Sequence, residues 1–362
     1  MSTPCRVVPI RSMAAWSDMA KPWNDLLSQS RSNTVFLTWE WLYSWAECFL
    51  EPDDALFILA VYRDNRLVGI SPWCIYSTRT WAGTLREVGF LGASAASDYM
   101  DVFALPGQER ETALALYRFL FHAESPPWDR ITLSGMASES LFLHHFMQAA
   151  GEAGKHAAIT YDGICPSVRL PISWEAYIET LSSNRRQAFR NDSRRLEKDG
   201  KVVFHRASHR EAEEAFDNFL KIPHVRSSDV QDRFERFLRT VLGHCHENGW
   251  MRIDLLSVSG ENVMGLCHLQ YNGALSSYTI RTNRHYDKGI SLGSVTVGRA
   301  IQQAIADGLS VVDFLRGGES YKFHWSNGGR ALLTLEMYSR HPAALACFVW
   351  QTLKSVGKII VR

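Results

Sequence analysis

The amino-acid sequence predicts an α/β fold built as two tandem halves, and three observations carry that expectation. The chain has 362 residues, 46% of them apolar, which is more than one hydrophobic core usually organises. The order of periodic segments repeats, with helices, an antiparallel meander, a helix and a buried strand in each half. Residues 162–171 hold two prolines and a glycine and separate the repeats.

In the first half, Trp16, Trp23, Leu26 and Leu27 recur at helical spacing. Thr38 is placed to cap a second helix carrying Leu42, Trp45 and Phe49 on one face. Residues 55–63 and 66–76 are β-rich runs joined by Asp64-Asn65, a tight-turn pair, and read as a hairpin. Strand-like pieces follow at 85–91 and 99–104. A helix over 108–122 is broken by Ser125-Pro126-Pro127, since proline lacks the N–H that a helix needs. Residues 130–133 read as a buried strand, and 139–150 as a helix ending at Gly151.

The second half repeats that order. Helical patterns cover 174–198, 210–220 and 230–247, the last with Phe234, Phe237, Leu238, Val241, Leu242 and Cys245 on one stripe. Strands at 251–258 and 263–271 flank Gly260-Glu261-Asn262. Asn272-Gly273 is the strongest hairpin signal and leads into a third strand, 274–282. A helix from Gly293 to Asp307 is closed by Gly308. Residues 310–315 and 331–339 read as further strands. The tail, 344–361, has a helical pattern with Lys354, Lys358 and Arg362 among apolar residues. It suits a core cap or a peripheral membrane contact.

Composition narrows the function. Thirty-nine basic and 38 acidic residues leave a net charge of +1, which does not suggest a dedicated nucleic-acid binder. Seven scattered cysteines form no CxxC pair. They fit neither a disulfide framework nor a zinc site, and point to a reducing cytoplasm. The N-terminus lacks an apolar signal region, and no apolar run reaches the length of about 18 residues expected of a membrane span. Twelve tryptophans favour large buried surfaces or aromatic-lined grooves. His144-His145 and His244-Cys245-His246 point apart on helices and are poor metal pairs.

Four segments carry candidate chemistry. The loop after strand 274–282 contains Tyr286, Gly289, Ile290, Ser291, Leu292, Gly293 and Ser294 and opens a helix. Its backbone N–H groups and the helix dipole suit an anion such as a pyrophosphate; the same residues also suit an ordinary glycine turn. The run from Asp313 to Trp325 follows a buried strand, where α/β folds place ligands. There Lys322 can face a phosphate or an oxyanion and Tyr321 can donate a proton, or the aromatic residues simply pack. Arg186, Arg190, Arg194 and Lys198 recur every four residues, with Arg185 and Arg195 beside them. They suit a phosphate-bearing substrate, a nucleic-acid stem or an anionic lipid surface, or form a solvated face balanced by Asp192, Glu197 and Asp199. Asp98 and Asp101 flank Tyr99 and can orient an acceptor amine or serve turn chemistry.

The run Ser182-Ser183-Asn184-Arg185-Arg186 through Arg194-Arg195-Leu196-Glu197-Lys198-Asp199-Gly200 resembles the opening of the CelD-type acetyltransferase-like domain. Gly265, Tyr278, Tyr286-Asp287, Ser291-Leu292-Gly293, Gly308, Asp313-Phe314-Leu315 and Gly317 resemble its later landmarks. Tyr321-Lys322 resembles the aromatic-lysine pair of the Fem aminoacyltransferases, and Phe36 to Trp45 with 66–72 resembles the degenerate leading domain of that group. The resemblance covers about residues 30–340 and implies tandem GNAT-like domains, each a twisted mixed sheet flanked by helices. They would be a degenerate domain at 1–165, an acetyltransferase-like domain at 166–340, and a tail helix at 341–362.

It further implies a cytoplasmic N-acyltransferase with no permanently bound cofactor. Acyl-CoA would be the cosubstrate, its pyrophosphate on the Tyr286–Ser294 loop, and a small-molecule or saccharide amine the acceptor, in polysaccharide or cell-envelope biosynthesis. Fem relatives take aminoacyl-tRNA and others an acyl carrier protein; Arg186, Arg190 and Lys322 suit the phosphate of each. Lys322, Tyr321 and Tyr278 would carry the chemistry, with Asp98, Tyr99, Asp101 and Asp313 at the substrate. The loop is similar to the (Arg/Gln)-x-x-Gly-x-(Gly/Ala) pattern without matching it. That leaves a second reading, a non-catalytic saccharide- or nucleotide-binding protein on a decayed GNAT fold.

Overall fold

The computed structural model describes residues 4–80, 83–93, 96–223, 229–245, 248–283, 286 and 289–339. The tail helix expected over 341–362, and Asp287 and Lys288 of the candidate loop, lie outside the described residues. Two compact units divide the chain, 1–162 with 331–362 and 163–330.

The first unit opens with β1 (Arg6–Ile10), α1 (Met13–Ser17), α2 (Ala20–Gln29) and α3 (Trp39–Phe49). Thr38 caps α3 by accepting the Trp41 N–H at 3.3 Å. Strands β2 (Ala55–Leu56), β3 (Ile58–Arg63), β4 (Arg66–Ser71), β5 (Trp73–Thr80) and β6 (Gly83–Phe90) follow. Asp64 and Asn65 both take positive φ, 50° and 61°, and close the β3–β4 hairpin as expected of that pair. The run 66–76 is two strands rather than one, because Pro72 lacks the N–H a ladder needs. As a result β4 joins a sheet of order β1-β3-β4 while β5 pairs with β6. Only the end of the run 99–104 is strand, β7 (Phe103–Ala104), which pairs with β4. Then come α4 (Glu109–Leu120), β8 (Arg130–Ala137) and α5 (Leu141–Glu152). The core is rich in indoles: Trp16, Trp23, Trp41, Trp45 and Trp73 are each buried. Trp23 Nε1 donates to Leu37 O at 2.8 Å, so its polar edge is satisfied.

The segment 162–171 is not a free linker. It lies largely in β9 (Ala157–Arg169), where Cys165 and Val168 are fully buried, and the unit boundary falls inside this strand. The single helix expected over 174–198 is two, α6 (Trp174–Thr180) and α7 (Ser183–Asp199). Ser182 turns extended between them and its side chain caps α7 at Arg185 N–H. After β10 (Val202–Arg206) come α8 (Ala212–Lys221), α9 (Asp229–Cys245), β11 (Met251–Val258), β12 (Glu261–Tyr271), β13 (Ala274–Thr282), α10 (Leu292–Ala306), β14 (Val311–Asp313), α11 (Ser320–Trp325) and β15 (Gly328–Tyr338). Asn272 and Gly273, at φ 47° and 75°, make the β12–β13 turn.

The second unit's strand order is β10-β11-β12-β13-β14-β9, antiparallel except for β13 beside β14. That parallel pair is joined by the α10 crossover, as parallel neighbours require. Leu196 of α7 and Val295 and Ala300 of α10 pack on Leu256, Met264 and Leu266. On the opposite face α8 sits close, since a Cβ on Gly265 would come within 2.6 Å of the Phe219 ring. Residues 331–338 of β15, expected in the second half, pair with β8 and complete the first unit, whose second set of strands runs β15-β8-β6-β5-β2. Among the described residues no helix is long and apolar enough to cross a membrane.

Candidate functional site: a gap between two parallel strands

Strands β13 and β14 pair over only three positions, Ala274 with Val311, Leu275 with Val312 and Ser276 with Asp313. Beyond them β13 continues to Thr282 while β14 stops. The two strands therefore part at their carboxyl ends, the place where open α/β sheets bind ligands. On its other side β13 slips against β12. Cys267 pairs with Thr279 and His268 with Ser277, which leaves Tyr278 as an extra residue. Such a bulge bends its strand and re-aims side chains. The Tyr278 ring is half-buried and stacks on Phe234 of α9, centroids 5.8 Å apart and 22° from parallel.

The loop from β13 into α10 is largely capped by its own residues. Ser291 is the N-cap and accepts the Ser294 N–H at 3.3 Å, and the Leu292 N–H donates to Ile290 O at 3.0 Å. Among the described residues this leaves Gly293 as the first-turn N–H open to a ligand. Gly289, at φ 60°, turns its carbonyl to Arg195, which donates at 2.9 Å. Tyr286 and Ile290 pack half-buried on the α7–α10 core. Ser294 is buried and its hydroxyl has no partner among the described residues.

The arginine stripe of α7 is divided by its contacts. Arg186 donates to Glu179 O at 3.1 Å and Leu181 O at 2.7 Å, capping α6. Arg195 holds the Gly289 loop, while Arg190, Arg194 and Lys198 are exposed.

After β14 the chain turns sharply. Asp313 accepts the Leu315 N–H at 2.8 Å, and Leu315 takes a left-handed φ of 57°. That conformation is costly for a leucine and marks a turn held by its surroundings. Lys322 does the holding: buried on α11, its ammonium donates to Arg316 O at 2.9 Å and Leu315 O at 3.3 Å, and pairs with Glu319 at 3.1 Å. Burial pushes the Glu319 carboxyl up, but bonds from its own N–H and from Lys322 outweigh this and hold it below the usual range. The Tyr321 phenol is half-buried and pushed up to about 12, by burial first and the Glu319 charge second.

Tyr278, the Tyr286–Ser294 loop, Asp313, Tyr321 and Lys322 thus all lie on or follow the β13–β14 pair. Asp98, Tyr99 and Asp101 belong to the first unit. They are buried in the first unit, where Asp101 accepts from Ser32 at 2.7 Å and from Ser140 and the Val102 N–H at 2.8 Å each. There β6 and β8 form a corresponding parallel pair, Glu87 with Arg130 and Val88 with Ile131, and the same segment fills the space beyond it. The Met100 N–H donates to Gly135 O of β8 at 3.0 Å, and Trp41 Nε1 donates to Ser97 at 2.8 Å.

Sequence reasoning missed two features. The i, i+3 spacing of Glu319 and Lys322 was the signal for their pairing. Arg252 and Asp254 alternate with apolar residues like a solvent-facing edge, yet form a buried bidentate pair at 3.0 and 2.9 Å, with His268 at 3.3 Å. Both faces of that strand are covered, which alternation alone does not reveal.

Residues 183–323 match the family described as Acetyltransferase (GNAT) domain. Among solved structures the chain is similar to FemX, at 10% identity over 94% of this chain and 99% of that one, with a TM-score of 0.61. It is similar to a conserved protein of unknown function from Bacteroides thetaiotaomicron, at 12% identity, 92% and 100% coverage and a TM-score of 0.56. A third is the C-terminal domain of a putative lysylphosphatidylglycerol synthetase from Agrobacterium fabrum, at 10% identity, 94% and 97% coverage and a TM-score of 0.54. At these identities the likeness is one of fold. No curated protein sequence matches the chain.

Proposed function

We propose, from the match of residues 183–323 to the GNAT acetyltransferase family, that the second unit moves an acyl group from an activated donor to an amine. The parting of β13 from β14 after Ser276 and Asp313 carries this reading. An extended donor arm can lie along the β13 edge beyond Ser276, as extended chains add to sheet edges. The bulge at Tyr278 bends the strand where the reacting carbonyl then sits.

Transfer is direct: the amine attacks the thioester or ester carbonyl and the donor's thiolate or alkoxide leaves. The work is positioning and stabilisation of the oxyanion. Tyr278 passes on the proton lost by the amine. Tyr321, with its pKa pushed up to about 12, stays a phenol at neutral pH and supplies a proton to the leaving group. Lys322 sets the turn beside Asp313 and presents a cation to donor oxygens. Arg190 and the Gly293 N–H meet the donor's phosphates.

Acetyl-CoA is the first donor to test. The self-capped start of α10, which leaves few N–H groups for a free pyrophosphate, also favours a donor carried on an acyl carrier protein or a tRNA, held through the exposed Arg190, Arg194 and Lys198. The acceptor class is a small-molecule or saccharide amine, and the pathway proposed is polysaccharide or cell-envelope synthesis.

The test is donor consumption by the full chain against a panel of amino sugars, lipid amines and peptides. Release of free CoA or carrier should require both substrates. Tyr278→Phe should lower kcat by about 10²-fold, the contribution of a positioned proton-transfer group, with Tm unchanged. Absence of transfer from acetyl-CoA, an acyl carrier and aminoacyl-tRNA alike would leave the non-catalytic reading in its place.

A further inference from the structure

Lys322 has three ammonium protons and three acceptors. Two are carbonyls of its own turn, Leu315 O and Arg316 O; the third is the Glu319 carboxylate. The pair is lopsided, with the Lys322 side chain 7% exposed and that of Glu319 57% exposed. Water screens a pair with so exposed a partner, so the contact is weak and its carboxylate can be displaced at little cost. Here a buried cation is met by a carboxylate that reaches in from solvent.

The loop is also shaped to admit that carboxylate. Gly317 has φ 149°, and a Cβ there would collide with the Glu319 carboxylate and the Lys322 amine. A Cβ on Gly318 would meet nothing within 4 Å, and the Glu319 side chain is itself largely exposed, so the carboxylate can swing out to solvent.

We propose that Glu319 is an internal stand-in for an oxyanion of the ligand: its carboxylate occupies the third N–H of Lys322 until a phosphate oxygen of the bound donor, or a carboxylate oxygen of the bound acceptor, displaces it. This deepens the acyl-transfer reading and rests on it for the donor's place at the carboxyl end of β14. The two backbone bonds keep the ammonium fixed during the exchange. Lys322 gains no net charge contact, so the site selects for a ligand anion that binds better than a tethered carboxylate. Glu319 then acts as a threshold against weak anions.

The probes are inorganic phosphate and acetate, titrated by calorimetry into the full chain at low ionic strength. Glu319→Gln keeps the shape and removes the competitor. It should bind one or both probes about two- to fivefold more tightly than wild type, the range expected from loss of an exposed ion pair. Tightening for phosphate alone identifies a phosphate subsite, and for acetate alone a carboxylate subsite. Lys322→Met should lose binding of the same probe. Unchanged or weaker binding of both probes to folded Glu319→Gln would make the pair a staple and overturn the proposal. If that variant does not fold, wild-type crystals soaked in phosphate decide: Glu319 must leave Lys322 and an oxygen of phosphate replace it, and a pair that persists at saturation overturns the proposal. Neither readout uses acyl transfer, so a chain without turnover leaves this result readable. A chain that transfers acyl groups with no Glu319 effect loses only this inference.

Discussion

Asp101 accepts three hydrogen bonds, from Ser32, Ser140 and the Val102 N–H, and Ser140 is itself the N-cap of α5. Removal from water nevertheless dominates and pushes the carboxyl up to about 6, against the lowering effect of those bonds. In the unfolded chain the group titrates near ~3.9. Between these values the folded state holds the proton more tightly. The residue's contribution to stability is therefore full below about pH 4 and falls as the pH rises to about 6. Asp101→Asn removes that slope. Relative to it, wild type should lose ~2–3 kcal/mol between pH 4 and pH 7, read from denaturant midpoints of both proteins. Parallel profiles would place the titration on another group. The sequence shows an acid in a Ser/Asp-rich turn, which suits a ligand site or a buried hub equally. Ser32 and Ser140 lie 69 and 39 positions away, so the partners that decide between the two are invisible along the chain. The type of Tyr278 was readable in the same way, but its bulge depends on the register of β12, which only pairing fixes.

Elements were legible where local chemistry decides them. Asp64-Asn65 and Asn272-Gly273 make the hairpin turns expected of them, and Ser291 opens α10 within two residues of the expected start. They were less legible where tertiary burial decides. The segment 162–171 carries two prolines and still lies mostly in β9, because Cys165 and Val168 enter the core and Pro166 O takes the Phe314 N–H at 2.9 Å. Helix α7 reads as polar almost throughout, yet Phe189 and Leu196, two turns apart, fix it on the α10 side of the sheet. At that contact Gly298 of α10 faces Phe189 and Trp325, whose rings meet edge to face at 5.8 Å. A Cβ on Gly298 would press into the Phe189 ring and reach within 3.0 Å of the Trp325 ring. Alanine gains about 1 kcal/mol of helix propensity over glycine, while overpacking costs about 1–3 kcal/mol. Gly298→Ala should therefore lower stability by ~1 kcal/mol net. It should also disturb α11 and so reduce donor affinity, measured by calorimetry on the folded variant. A stabilised Gly298→Ala would mean that the α7–α10–α11 contact is looser than the side-chain packing indicates.

The two halves repeat an order of elements, and that order was readable from periodicity; the destination of the last strand was not. Alternation marks 331–339 as a strand without naming its neighbour, and β15 pairs with β8 of the first unit. The repeat extends to a parallel pair in each unit that parts after a few residues, β6 with β8 and β13 with β14. The outcomes differ. In the first unit the space beyond the pair holds the chain itself, through Met100 on Gly135 O, Ser97 under Trp41 and Asp101 between Ser32 and Ser140. Opening it would leave a buried carboxyl and an indole N–H without their partners, each a cost of about 1–3 kcal/mol. In the second unit β13, which carries Tyr278, runs on past β14 into the loop and helix that carry Gly293, and the Lys322 turn follows β14. The chain should therefore take up one donor, in the second unit alone. Calorimetric titration with the donor that supports turnover should give a stoichiometry near one. Tyr278→Phe together with Lys322→Met should abolish the binding heat, whereas Asp101→Asn should leave it unchanged. Two equivalent donor sites, or binding that survives the double substitution, would show that the first unit's packed segment opens to ligand and that filling a gap with its own chain does not close it.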